Sequence, residues 1–94
     1  MGNTEKIKFN KEALDFLNNT LPKIKNKKEA EMFLKDLMSS TEIKAVARRL
    51  LSVKKLYNGK TYAQINFESS LSMGVINKMH FKTKGSKVLK KLLS

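Results

Sequence analysis

The chain is expected to be all-α, with five to six helices and a helix-turn-helix in its C-terminal half. Three observations predict this. Apolar residues recur at three- and four-residue spacing, and no stretch alternates in the way a half-buried strand requires. Capping residues stand at the places where each periodic stretch should begin. Between Asn58 and Met79, two short helical segments are separated by a serine-rich break, the arrangement of a bihelical reading unit.

The first helix is expected from an Asn10 cap to about Thr20, with Ala13, Leu14, Leu17 and Leu21 on one stripe. Pro22 stops it because proline cannot supply the next backbone donor, and Lys23 to Lys28 reads as a basic loop. Asn26 and Glu29 have capping-box spacing and open a second helix to about Met38, burying Ala30, Phe33, Leu34 and Leu37. Ser39 and Ser40 are able to cap a third helix, from about Thr41 to Tyr57. Its stripe is Ile43, Val46, Ala47, Leu50, Val53 and either Leu56 or Tyr57, with Arg48, Arg49, Lys54 and Lys55 mostly off it. Asn58-Gly59 ends that helix, since both residues tolerate left-handed backbone.

Thr61 caps a short fourth helix, and Gln64 can complete its box. Ser69-Ser70 break it. Ser72 caps a fifth helix to about Phe81, with Val75, Ile76 and Met79 inward and Asn77 and Lys78 outward. Lys82 to Gly85 reads as a basic turn, and Ser86 to Leu93 as a last short helix. Residues 1–94 are read as one domain: a helical dimerisation portion over 1–58, the helix-turn-helix over 60–82 and the C-terminal helix over 86–93.

Composition narrows the function classes. The net charge is +12 and lies unevenly: residues 1–53 hold eleven basic and seven acidic side chains, residues 54–94 nine lysines against Glu68 alone. A polyanion partner, most simply phosphate backbone, explains that skew; a solvated lysine coat is the plainer alternative. A chain of 94 residues sits near the low end for stability as a monomer, so self-association is expected. There is no cysteine, which excludes disulfides, thiolate metal sites and a cysteine nucleophile, and a cytoplasmic setting is expected. No apolar run approaches the ~20 residues that span a bilayer. His80 is the single histidine, so no zinc ligand set exists and a surface or partly packed imidazole is the simpler reading. No nucleophile has a plausible base beside it; neither an enzyme nor a cofactor is expected. Phe9, Phe16, Met32, Phe33, Phe67, Met73 and Met79 read as core and dimer surface.

Two segments carry a family resemblance: L-M-S-S-T-E-I-K-A-V-A-R-R-L-L-S-V-K-K-L from Leu37 and G-K-T-Y-A-Q-I from Gly59. From Ala30 to about Lys84 the chain resembles the tryptophan-repressor-like superfamily, most closely its YerC/YecD-type branch. The resemblance implies an all-helical, intertwined homodimer that engages operator half-sites as a transcriptional regulator. The turn position often filled by glycine in the family is Ser70 here, where left-handed backbone would cost ~1–2 kcal/mol unless the turn takes another shape. The following A-T-I-S-R pattern is G-V-I-N-K, from Gly74 to Lys78. In the true repressor, two arginines on separate helices embrace tryptophan. Arg48 or Arg49 could supply one, but Lys78 and Met79 replace the arginine-glycine pair of the other side, so no tryptophan corepressor is expected.

The expected DNA-binding residues follow from the motif. Ser72, Met73 and Gly74 stand at the end of the reading helix that meets bases or phosphates. Asn77 can pair with adenine, and Lys78 can hold guanine or phosphate. Thr61 and Tyr62 begin the helix that crosses the backbone. Lys60, Lys82, Lys84 and Lys87 flank the unit as candidates for phosphate neutralisation. Two rivals remain from other classes: a non-specific RNA or nucleoid binder using the same charge, and a protein-interaction module whose lysines only keep it soluble.

Overall fold

A computed structural model describes residues 3–94, which form six α-helices, one 3-10 turn and no strand. The helices are α1 (Asn3–Thr20), α2 (Lys27–Leu37), α3 (Ser40–Tyr57), α4 (Tyr62–Ser69), α5 (Met73–Gly85) and α6 (Lys87–Leu93). The all-α expectation holds. The chain divides into two compact units between Leu37 and Met38.

In the first unit, α1 starts well before Asn10. Neither glycine nor proline interrupts the chain between Asn3 and Thr20, so a cap-competent asparagine inside the run does not delay the helix. Pro22 ends the helix as expected, and Lys23, expected as loop, closes a 3-10 turn over Leu21–Lys23. Asn26 accepts from the Glu29 backbone N–H at 2.9 Å, while the Glu29 carboxylate accepts from the backbone N–H of Lys25 and not of Asn26. The box is therefore offset by one residue. No residue of α1 or α2 is buried. Leu34 and Leu37, expected inside, are exposed, as are Leu14 (61%) and Phe16 (73%). Phe9, Ala13, Phe16 and Leu17 of α1 and Phe33 and Leu37 of α2 line an open apolar groove of about 470 Å³.

The second unit holds the core. The Ser39 hydroxyl accepts from the Glu42 N–H at 3.2 Å, and the Glu42 carboxylate accepts from the Ser39 N–H at 2.9 Å. Hydrogen bonding to the carboxylate from the Ser39 backbone, and then from its side chain, holds the Glu42 carboxyl below the usual carboxylate range. Helix α3 ends in a Schellman motif: Lys60 N–H donates to Lys55 O and Gly59 N–H to Leu56 O. Only Gly59 is left-handed, at φ 80°; Asn58 keeps φ −83°. The helix ends at Asn58-Gly59 as expected, and one αL residue is enough to reverse the chain.

Helices α4, α5 and α6 each pack on α3, and α5 also packs on α4 and α6. At the centre lie Val53 of α3, Ile65 of α4 and Ile76 of α5. The α3 stripe is buried only in its second half. Val46 and Leu50, expected inside, are each 51% exposed, and Ala47 is exposed as well, whereas Ser52 is buried. Ser52 is tolerated because its hydroxyl donates to Arg49 O at 2.7 Å, so that buried group is not left unpaired. Two long-range bonds fasten the periphery. Lys54 Nζ donates to Leu93 O at 2.8 Å, a cation at the C-terminal end of α6. Tyr57 donates to Thr83 O at 3.1 Å. The second of these anchors Lys82 to Gly85, expected as a turn, as the last turn of α5.

Ser70 resolves the question at the α4–α5 turn: it takes φ 61°, ψ 13°, the left-handed region, as the C-cap of α4. The turn is stitched by Asn66 Nδ2 donating to Leu71 O, and by Ser69 Oγ accepting from Leu71 N–H. Ser70→Gly should therefore stabilise this unit. Removing a left-handed cost of ~1–2 kcal/mol is partly offset by the ~0.5–1 kcal/mol of extra chain entropy that glycine loses. A thermal melt should show a Tm about 3–6 °C higher; a lower Tm would mean that the turn is not held in this shape.

Candidate nucleic-acid interface

Helices α4 and α5 form the bihelical unit that the sequence predicted, joined by Ser70, Leu71 and Ser72. Thr61 opens α4 through a full capping box: its hydroxyl accepts from the Gln64 N–H at 3.2 Å, and Gln64 Oε1 accepts from the Thr61 N–H at 2.9 Å. Ser72 opens α5 by accepting from the Val75 N–H at 3.2 Å. Each cap satisfies a donor that the first helical turn would leave unpaired. Ile76 is fully buried and Val75 and Met79 are half-buried, so the opposite face of α5 looks outward.

That outward face carries most of the expected contact residues. Ser72, Gly74, Asn77 and Lys78 are exposed, as is Met73 at 49%. A Cβ added at Gly74 would meet nothing nearer than Ser72 Oγ at 3.9 Å. Packing within the protein therefore does not demand glycine there, and its absence of a side chain leaves room for an outside partner. Lys60, in the turn before α4, and Thr61 are exposed. Lys82 and Lys84 are exposed in the last turn of α5, where cations also complement the helix dipole. Lys55 is already engaged by Glu68 at 3.0 Å, the one acid of this half of the chain.

Tyr62 departs from its neighbours. It is half-buried, and its hydroxyl turns toward α5, donating to Asn77 Oδ1 at 3.2 Å and lying 2.5 Å from His80 Nδ1. The Tyr62 and His80 rings meet edge to face with centroids 5.4 Å apart. The motif makes the Tyr62 hydroxyl a candidate phosphate contact and offers no partner for His80, whose partly packed imidazole is one of its two expected settings. Asn77 and His80 lie fifteen and eighteen residues beyond Tyr62, separations that leave no periodic signal; the meeting depends on how α4 crosses α5. Among the described residues no group of metal-ligating side chains occurs, and no helix is long and apolar enough to cross a membrane.

The comparisons with known proteins agree with this architecture. The Trp repressor protein family matches residues 12–92, extending the resemblance at both ends beyond the segments that first suggested it. The chain is 32% identical over 72 residues to the uncharacterized protein YerC of Bacillus subtilis (strain 168), an alignment covering 77% of this chain and 69% of that protein. No solved structure matches. With a capped bihelical unit set on a long helix, and a family match over most of its length, the chain belongs to the Trp repressor protein family.

Proposed function

We propose that this protein is a sequence-specific, double-stranded DNA-binding transcriptional regulator that acts as a homodimer. The observation that carries the reading is the α5 surface: a capped helix N-terminus followed by exposed Met73, Gly74, Asn77 and Lys78, in a half-chain with nine lysines and one acid. Ser72 to Lys78 would enter the major groove, where Asn77 meets base edges and Lys78 a phosphate or guanine. Lys60, Thr61, Lys82 and Lys84 would neutralise or bond the flanking backbone. Family membership supports regulation rather than catalysis.

Dimerisation follows from unpaid hydrophobic cost. Val46, Leu50 and Leu51 of α3 are exposed, and so is the apolar face of α1 and α2; each Å² of it removed from water contributes about 25 cal/mol. A second copy supplies matching surface by two-fold symmetry, and residues 1–58 would be the dimerisation portion of a single 1–94 domain. Two reading heads then address half-sites spaced by ~34–36 Å. Tryptophan has no part in this reading, since Lys78 and Met79 stand where an arginine-glycine pair would shape its pocket.

Competition between a labelled duplex from the cognate genome, random duplex and structured RNA tests the reading, with sedimentation of the same sample giving its mass. A dimer that prefers a subset of genomic duplexes by tenfold or more is the expected result. Equal competition by RNA and random duplex would replace the regulator by a non-specific nucleic-acid binder.

A further inference from the structure

The hydroxyl of Tyr62 lies between two α5 side chains, and one phenolic proton cannot serve both. With that proton donated to Asn77 Oδ1, His80 must present an Nδ1–H to the Tyr62 oxygen, so the three groups form a directed chain from His80 through Tyr62 to Asn77. Hydrogen bonds in such a chain polarise one another. The chain ends on the exposed Asn77 amide.

An unrestrained asparagine amide rotates by half a turn with little change in shape, exchanging its oxygen and its NH2. An adenine edge distinguishes the two orientations, because its N6 amine needs the oxygen and its N7 needs the amide N–H. We propose that Tyr62 and His80 are positioning residues that fix which way round Asn77 presents its amide, and thereby set the base preference of the reading helix. The Tyr62 bond occupies one lone pair of Oδ1 and leaves the outward edge, oxygen and N–H together, free for a base. This inference rests on the reading of α5 as the groove-facing helix, and it moves Tyr62 from a phosphate contact to an inner support.

The test is selection of duplexes from a pool randomised over about two helical turns, with wild type, Tyr62→Phe, Asn77→Ala and the double variant run in parallel. Wild type should enrich one base at one position of each half-site. Tyr62→Phe keeps the ring against His80 but removes the hydroxyl. Its enrichment at that position should fall by about three- to tenfold, the worth of one neutral hydrogen bond. Its salt dependence and its affinity for random duplex should not change, and a purely structural role for Tyr62 would move both. In the Asn77→Ala background, Tyr62→Phe should have no further effect on that position. His80→Phe, which retains an aromatic ring but lacks Nδ1, should erode the same enrichment by about two- to threefold, and it serves as the second variant should Tyr62→Phe lower the Tm. Full enrichment in both single variants, or effects that add to that of Asn77→Ala, would overturn the proposal. If wild type itself enriches nothing, the groove-facing reading of α5 fails first and takes the positioning role with it.

Discussion

Raising salt from 50 to 200 mM is expected to weaken duplex binding by about 10³–10⁴-fold. The figure follows from the number of cations that can reach phosphate. Lys60, Lys78, Lys82 and Lys84 are exposed around α4 and α5, and a dimer doubles the set. If roughly six to eight of the cations in the two copies displace condensed counterions, log affinity falls with log salt by ~0.9 for each. Lys55 is left out because Glu68 holds it. A series of electrophoretic titrations across that salt range measures the slope. Each Lys→Ala variant among the four should flatten the slope by about 0.9 for every phosphate contact it removes, while stability stays within about 0.5 kcal/mol because the side chains are exposed. Affinity that does not change with salt would contradict phosphate neutralisation and leave the lysines as a solubilising coat.

Ile76→Ala should be the most damaging single substitution in the second unit. Ile76 is the one apolar side chain of this unit with no exposure at all, and it shares the centre with only Val53 and Ile65. Truncating a buried isoleucine costs about 2–5 kcal/mol through lost burial and the residual cavity, against the 5–15 kcal/mol typical of a whole domain. A melt should show Tm lower by at least about 10 °C, and duplex binding should fall with the folded fraction. Asn77→Ala, one residue along but on the outward face, should leave the melt almost unchanged. The contrast separates what holds α5 in place from what α5 presents. A mild effect of Ile76→Ala would show that a surface buried elsewhere, not this small cluster, holds the reading helix.

The elements that were legible in the sequence are those closed by bonds between near neighbours. Ser39 with Glu42 and Thr61 with Gln64 form complete boxes, and Ser72 and Ser86 cap their helices through Val75 and Leu89. Each partner lies three residues away, so residue type and spacing were sufficient. The starts of α2 to α6 and the all-helical class followed from them. At the end of α5 and along α3, a more distant bond or a missing neighbour decides the outcome instead. Tyr57, twenty-six residues before Thr83, ties down the last turn of α5, which local pattern made a turn. The α3 stripe was read as one buried face, but no other element of its unit covers Val46 and Leu50. Periodicity says which residues share a face and not how much of that face is covered.

Sequence alone determined the all-helical class, the caps of α3 to α6, the lysine-rich second half and the outward placement of Asn77 and Lys78, since all of these depend on composition or on contacts within one helical turn. Tertiary structure decided three other things: that Ser52 and not Leu50 is buried, that Ser70 takes the left-handed backbone, and that the Tyr62 hydroxyl points at Asn77 and His80. Those outcomes depend on how α4 and α5 meet α3 and each other. The angle of a helix crossing arises from many side chains packing at once, so it cannot be read from any short stretch of chain.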